Sequence, residues 1–275
     1  MKPATYVAGF FISVAVTIFA LGQKNSSSLA SFCEVGWSIW YNPRNLDPQI
    51  QQRLVEYLAE YITSPRKELI EQVLVQRTRH LTLVMEDIDK PHNAGAVLRT
   101  ADCFGIQDVH VVEETTKYKH SQKVTRGASK WLTLHRYDQE SGGNTQRCIE
   151  SLKAKGYQFL VTSPNAETEG FQHVDFSTKV AVLFGTEWFG ASEYAMSQAD
   201  GLIKLPMYGF TESFNISVAA ALTLQGLVNS LRSSKATWQL SEQERNALRL
   251  EWYRNSVRNP DIMEREFLEK QGGTV

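Results

Sequence analysis

The sequence predicts an α/β protein with a mostly parallel sheet and helices on both faces. Short apolar runs of strand length alternate with helical segments between residues 80 and 232. Such alternation is typical of parallel strands joined by crossover helices. Glycines close two of the helical segments, at Gly105 and Gly156, where a left-handed residue commonly ends a helix. With 42% apolar and 21% charged residues, the chain has the composition of a folded domain.

Two short helices are predicted before the first strand, over residues 46–79. Asp47 followed by Pro48 is the usual pair for an N-cap and a first helical position, and apolar residues with helical spacing follow. Ser64 and Pro65 repeat the pair. We therefore interpret residues 46–79 as a helical extension in front of the sheet.

The sheet and its helices are predicted within residues 80–233. The predicted strands span residues 80–86, 109–112, 131–135, 157–161, 180–184 and 202–205. The predicted helices between and after them span residues 93–104, 144–155 and 215–232. The tail, residues 234–275, contains an amphipathic helical stretch at 241–268 and is predicted to be a second helical extension.

Residues 1–45 differ from the rest of the chain. Residues 6–22 form a stretch of 17 positions without a charged side chain, which is short for a membrane span and long for the apolar core of a signal peptide. Three interpretations stay open: a dispensable leader or misassigned start codon, a membrane anchor through residues 6–22, and an export signal. We expect a dispensable leader and a cytoplasmic protein, with membrane contact only if the leader is present in the native protein.

The charge and cysteine content exclude several classes of protein. The net charge of −1 excludes a globally basic nucleic-acid binder, although it allows a local basic patch. Cys33, Cys103 and Cys148 are far apart and lack C-x-x-C spacing, so the sequence predicts neither a disulfide framework nor a metal site. The glycine fingerprint of nicotinamide-dependent oxidoreductases is also absent.

A basic segment spans residues 115–137. It contains six lysines and arginines and no acidic residue, with aromatic residues among them. This combination is typical of a surface that binds a nucleic-acid backbone, and a solvated charged face is the alternative. The residues that we expect to contact RNA are Lys117, Lys119, Lys123, Arg126 and Lys130.

Three segments at predicted strand ends carry candidate site residues, because ligands in open α/β sheets bind beyond the carboxyl ends of the strands. In the first, Asn93 opens a helix and Arg99 follows within two turns, where it can grip a phosphate; an N-cap and a surface ion pair are the alternatives. In the second, Glu187 lies between two glycines just after a buried strand. Glycine there lets a ligand approach the backbone, and an ordinary turn is the alternative. In the third, Ser213 and Asn215 begin a helix, either as site residues or as caps.

Together the three segments resemble the motifs of the SpoU (TrmH-like) RNA ribose 2′-O-methyltransferases. NAGAVLR at 93–99 resembles the first motif, FGTEWFG at 184–190 resembles the second, and residues 203–220 resemble the third. The resemblance covers roughly residues 46–268 and is closest to the branch that methylates guanosine 18 of tRNA, to which KPHN at 90–93 is also similar.

The resemblance implies a C-terminal trefoil knot, S-adenosyl-L-methionine as the cofactor, and a homodimer with its active site near the subunit interface. By position, the catalytic residues that it implies are Asn93, Arg99, Glu187, Ser213 and Asn215. The cofactor-binding residues that it implies are Thr162, Gly185, Ile203, Leu205, Met207, Phe214 and Asn215. Arg99 matches the proposed base of the family, but a guanidinium stays protonated in proteins and is a poor base. It therefore stays open whether Arg99 orients the phosphate and the hydroxyl instead.

The resemblance predicts an enzyme that methylates a ribose 2′-hydroxyl in tRNA, at guanosine 18 of the D-loop. Two alternatives stay open: methylation of another tRNA or rRNA nucleotide, and a non-catalytic RNA-binding module. All five of the implied catalytic residues are present, which favours an enzyme.

Overall fold

The structure is a computed structural model whose described residues are 46–118, 127–164, 166, 170–171 and 174–270. The predicted leader, residues 1–45, lies outside this part of the chain. The chain divides into two compact units, Met1–Gln51 and Gln52–Val275. The sheet and the candidate site belong to the second unit.

A parallel sheet of six strands forms the centre of the described structure. The strands are β1 (Leu81–Glu86), β2 (Asp108–Val112), β3 (Thr133–Tyr137), β4 (Tyr157–Thr162), β5 (Lys179–Phe184) and β6 (Gly201–Ile203). Their order across the sheet is β3-β2-β1-β5-β4-β6, and every neighbouring pair is parallel. This confirms the predicted α/β class with a parallel sheet.

Helices cover both faces of the sheet. Those of the described residues are α1 (Pro48–Ala59), α2 (Ser64–Leu74), α3 (Pro91–Cys103), α4 (Asn144–Ala154), α5 (Glu193–Gln198), α6 (Ile216–Ser233), α7 (Glu242–Arg254) and α8 (Pro260–Lys270). Leu83 of β1 belongs to a buried cluster that includes side chains of α3 and α6. Its neighbour Val84 points the other way, into a second cluster with side chains of α4 and α5. The predicted arrangement of layers is therefore confirmed.

Helix α3 begins earlier than predicted. Lys90 is its N-cap and Pro91 lies in its first turn, because proline has a helical φ and lacks an N–H that would go unpaired there. Asn93 is therefore the third residue of the helix, and the N-cap interpretation of Asn93 is wrong.

Three other boundaries also differ from the prediction. Residues Ala128–Lys130 form a 3₁₀ turn, so β3 begins two residues later than expected. Strand β6 ends at Ile203, two residues before the predicted end. The tail forms two helices, since Asn259 has a left-handed φ of 52° and Pro260 then starts α8.

None of the helices in the described part of the chain has the length and apolar character needed to cross a membrane. Residues 6–22, on which the anchor interpretation depends, lie outside that part. The trefoil knot that the resemblance implies stays a prediction.

Candidate active site

A cavity of about 590 Å³ lies at the carboxyl ends of β4, β5 and β6. Ligands of α/β proteins are expected at this edge of the sheet. Six of the seven residues implied as cofactor contacts line it, namely Thr162, Gly185, Ile203, Leu205, Met207 and Phe214. The seventh, Asn215, is absent from the described lining and lies at the N-terminus of α6.

The cavity wall at residues 185–190 is a tight turn. The N–H of Thr186 donates to the carbonyl oxygen of Gly190 at 2.8 Å, and the N–H of Gly190 donates back to Thr186 at 3.1 Å. A Cβ atom at Gly185 would lie 2.2 Å from the Gly190 carbonyl oxygen, which no real contact allows. The turn itself therefore requires glycine at position 185, which is one of the two alternatives that the sequence left open. Gly185 also lines the cavity.

Glu187 joins three segments that are far apart in the sequence. Its Oε1 atom accepts hydrogen bonds from Asn93 Nδ2 at 2.8 Å and from Asn215 Nδ2 at 2.6 Å. Its Oε2 atom accepts a hydrogen bond from the ammonium of Lys90. The Asn215 amide also donates to Asn93 Oδ1 at 3.3 Å. One carboxylate therefore holds both asparagine amides beside the cavity, which Glu187 itself lines.

Lys90 stabilises the ionised form of Glu187. Its hydrogen bond, reinforced by its positive charge, lowers the pKa of Glu187, and Glu187 in turn raises the pKa of Lys90. The carboxyl group is therefore ionised at neutral pH and is a weak base, suited to accepting hydrogen bonds from amides. The sequence analysis missed Lys90 as a site residue, since its signal was only its place in KPHN, three positions before Asn93.

Asn215 both caps a helix and contacts Glu187. Its Oδ1 atom accepts hydrogen bonds from the N–H of Ser217 at 3.0 Å and from the Ser217 hydroxyl at 2.6 Å, so it is the N-cap of α6. Its Nδ2 atom donates to Glu187. The sequence left open whether Asn215 is a site residue or a helix cap, and in the structure its side chain makes both kinds of contact.

The other two implied catalytic residues lie outside this network as the structure describes it. Ser213 is exposed and lines the cavity. Arg99 is exposed on α3 and absent from the described lining. It follows Asn93 by six positions, and at 3.6 residues per turn the two side chains point to different sides of the helix. Within one chain the structure brings Asn93, Glu187 and Asn215 together and does not bring Arg99 to them.

Two further predictions concern RNA and metal ions. Lys117 and Lys130 are exposed, and the other residues expected to contact RNA lie outside the described residues: Lys119, Lys123 and Arg126. RNA binding by these five side chains therefore stays a prediction. Among the described residues, no group of three or more His, Cys, Asp or Glu side chains is placed to share a metal ion.

Comparison with known proteins gives a family match across the site. The chain matches the model of the SpoU rRNA methylase family over residues 80–225, which contain all five implied catalytic residues. The tRNA (guanosine(18)-2′-O)-methyltransferase of Borreliella burgdorferi is 39% identical to the chain over 219 residues, which make up 80% of this chain and 98% of the relative.

Solved structures have the same fold. The TrmH/SpoU tRNA modifying enzyme of A. aeolicus superposes with a TM-score of 0.60 and 27% identity, covering 71% of this chain and 98% of that chain. The SpoU methyltransferase AviRb of Streptomyces viridochromogenes, solved in complex with the cofactor AdoMet, superposes with a TM-score of 0.50 and 21% identity, covering 60% of this chain and 62% of that chain. At that level of identity AviRb indicates the fold alone.

Proposed function

The chain belongs to the SpoU rRNA methylase family, and we propose that it transfers a methyl group from S-adenosyl-L-methionine to the ribose 2′-hydroxyl of guanosine 18 in tRNA. The observation that carries this proposal is the convergence of Asn93, Glu187 and Asn215 beside a cavity lined by the implied cofactor contacts. The name of the Borreliella burgdorferi relative, which matches 80% of the chain, supports the choice of guanosine 18.

The cavity fits S-adenosyl-L-methionine in size and in charge. Its volume of about 590 Å³ falls within the range of roughly 300–1,000 Å³ that is usual for small-molecule sites. Apolar side chains such as Ile203 and Leu205 offer a surface for the adenine ring, and Glu187 and Glu212 contribute carboxylates. The described lining contains no lysine or arginine, which suits a ligand with a positively charged sulfonium.

When bound, S-adenosyl-L-methionine supplies a methyl group that its sulfonium already activates. The tasks left to the chain are to position the ribose hydroxyl and to assist the loss of its proton. An amide oxygen has two lone pairs, so Asn93 Oδ1 retains one acceptor position beside its hydrogen bond from Asn215. We assign that position to the 2′-hydroxyl, with Glu187 fixing the orientation of the Asn93 amide.

We propose that Arg99 binds a phosphate of the substrate and orients the hydroxyl, rather than removing its proton. A guanidinium stays protonated in proteins, so it is a poor base but a strong bidentate ligand for phosphate. The exposed position of Arg99 on α3, outside the described cavity lining, is compatible with a site that a second subunit completes.

Exposed apolar side chains near the site support a homodimer. Trp188 and Phe189, on the turn at residues 185–190, are 82% and 91% exposed. Val218 and Leu222 lie one turn apart on α6 and are 46% and 42% exposed. Large apolar side chains exposed together are typical of a protein interface, and we propose that a second copy of this chain covers them.

The domain boundaries drawn from the sequence are part of this proposal. Residues 80–233 form the catalytic domain, residues 46–79 and 234–275 are its helical extensions, and residues 1–45 are a leader that takes no part in the reaction. The basic segment binds the phosphates of tRNA, and the substrate places the reaction in the cytoplasm.

The test is methylation of a defined tRNA transcript. We expect the purified chain, supplied with methyl-labelled S-adenosyl-L-methionine, to label guanosine 18, as located by nuclease digestion. A transcript with 2′-deoxyguanosine at that position should stay unlabelled. Label at another nucleotide of tRNA, or in ribosomal RNA, would identify a different substrate. Binding of both ligands without transfer would identify a non-catalytic RNA-binding module.

A further inference from the structure

Two adjacent carboxylates, Glu86 and Asp87, lie at the carboxyl end of β1 and take no part in the chemistry proposed above. The two residues are only 2% and 8% exposed. Among the described residues, no lysine or arginine forms an ion pair with either of them. A buried charge is unfavourable unless hydrogen bonds satisfy it. The donors that surround each carboxylate therefore show which part of the molecule it holds in place.

Glu86 holds the end of the cavity wall. Its Oε2 atom accepts a hydrogen bond from the N–H of Ser192 at 2.9 Å, and its Oε1 atom accepts from the hydroxyls of Ser192 at 2.7 Å and Thr145 at 2.8 Å. Ser192 is the N-cap of α5 and directly follows Ala191, which lines the cavity. Glu86 therefore fixes the point at which the cavity wall passes into α5.

Asp87 holds the start of the basic segment. Its Oδ1 atom accepts hydrogen bonds from the backbone N–H groups of Glu114, Thr115 and Thr116 at 2.8, 3.0 and 3.0 Å. Its Oδ2 atom accepts from the Thr115 hydroxyl at 2.7 Å. The backbone of Asp87 has a φ of 52°, a left-handed conformation that residues other than glycine seldom adopt. Because Lys117 follows directly, Asp87 fixes where the basic segment leaves the sheet.

We propose that Glu86 and Asp87 are positioning residues, each of which supports the binding of one substrate. Glu86 supports the binding of S-adenosyl-L-methionine and Asp87 supports the binding of tRNA. The division follows from the direct donors, because among the described residues no donor is shared by the two carboxylates. The two sets meet at one hydrogen bond, from the N–H of Thr145 to Glu114 Oε2 at 2.9 Å. The identity of the two ligands rests on the proposed function.

The test compares Glu86→Gln and Asp87→Asn with a matched control, Asp89→Asn, which removes the same charge from an exposed side chain in the same loop. Loss of a charged acceptor facing Ser192 should raise the Kd and the KM for S-adenosyl-L-methionine about tenfold in Glu86→Gln, with the tRNA values within about twofold of wild type. Asp87→Asn keeps one acceptor oxygen and tolerates a left-handed backbone. Asp87→Asn should show the reverse pattern: the Kd and the KM for tRNA should rise about tenfold, and those for S-adenosyl-L-methionine should change by less than about twofold. Asp89→Asn should leave all four values within about twofold of wild type.

Calorimetry with S-adenosyl-L-methionine and filter binding with a tRNA transcript measure the two Kd values without turnover. If the wild-type chain fails to methylate tRNA but the variants still separate the two Kd values, the proposed function fails and the positioning roles stand. The inference would be overturned if both variants weakened the binding of both ligands equally, with a matching loss of thermal stability. It would also be overturned if the Kd and KM values of both variants stayed at the wild-type values.

Two milder variants keep the test decisive if either carboxylate variant fails to fold. Thr145→Val removes one donor to Glu86, and Thr115→Val removes one donor to Asp87. Each variant should raise only the Kd for the ligand assigned to its carboxylate, by about threefold. An equal effect of each variant on both ligands would overturn the inference in the same way.

Discussion

At the scale of single residues, the role proposed for Arg99 predicts that its loss abolishes methyl transfer but leaves the binding of S-adenosyl-L-methionine intact. We expect Arg99→Ala to lower kcat for methyl transfer by about a hundredfold or more while the Kd for S-adenosyl-L-methionine stays near the wild-type value, because Arg99 lies outside the described cavity lining. Arg99→Lys should lower kcat nearly as much, since an ammonium cannot replace a planar bidentate donor. Single-turnover methylation and calorimetry measure the two effects. Arg258→Ala, at another exposed arginine, is the control, and turnover within about tenfold of wild type in either Arg99 variant would contradict the role.

The pair of Lys90 and Glu187 predicts a change in pH dependence. The lysine lowers the pKa of Glu187. The carboxylate therefore stays ionised, and keeps its hydrogen bonds from the two asparagine amides, at lower pH than an ordinary glutamate would. Lys90→Met should raise the pKa of Glu187, and the acid limb of kcat/KM should therefore move to higher pH. Lys90→Arg keeps the charge and should leave the limb in place. Profiles of kcat/KM against pH that coincide for all three proteins would show that the ionisation of Glu187 does not limit the reaction.

The sequence pointed to three of the residues that the structure brings together at the candidate site, but it was uninformative about how they pair. The motifs pointed to Asn93, Glu187 and Asn215, and the structure joins those three. Their pairing depends on β1 and β5 lying side by side in the sheet, which no local pattern reveals. Lys90 and Glu187 are 97 positions apart, so this ion pair exists only once the sheet order is known.

At the scale of elements, the turn at residues 185–190 has a glycine, Gly185, that another residue can replace only if the turn shifts. We expect Gly185→Ala to lower the free energy of unfolding by about 1–3 kcal/mol, because its Cβ would lie 2.2 Å from one backbone atom and 2.3 Å from another. The displaced cavity wall should also weaken the binding of S-adenosyl-L-methionine. Gly209→Ala is the matched control, since a Cβ there meets no atom within 4 Å. Thermal unfolding and calorimetry test both effects, and equal behaviour of the two variants would contradict the account of the turn.

Elements were predicted with uneven success, for physical reasons. The four inner strands of the described sheet, β1, β2, β4 and β5, lie within one residue of the predicted bounds, since parallel strands buried on both faces form nearly continuous apolar runs. The edge strands β3 and β6 are only partly buried, and their bounds differ from the prediction by up to two residues. The start of α3 was misplaced because two residues suited to a helix start compete there: Asn93 favours an N-cap, and Pro91 favours the first turn. Proline was decisive, and Asn93 was left free to bind Glu187.

At the scale of the whole molecule, the proposed homodimer is open to a direct test. Val218→Glu combined with Leu222→Glu places two charges on the exposed apolar side of α6. Burying unpaired charges at an interface is strongly unfavourable, so we expect this protein to be monomeric in sedimentation experiments and to lose methyl transfer. The matched control changes Leu69 and Val75 to Glu, because these side chains are similarly exposed, at 47% and 43%. A wild-type chain that sediments as a monomer at assay concentrations would contradict the dimer.

The middle of the sheet joins parts of the chain that are made at different times. Leu81 of β1 pairs with Val180 of β5, and Met85 pairs with Phe184. At an elongation rate of about 5–20 residues per second, β1 leaves the ribosome roughly 5–20 seconds before its neighbour exists. During that interval an apolar strand has a bare edge, and bare edges invite pairing with other nascent chains. We expect the yield of folded protein in cells to fall as elongation is slowed, because slower synthesis lengthens that interval, unless chaperones shield the β3-β2-β1 half of the sheet until synthesis reaches β5.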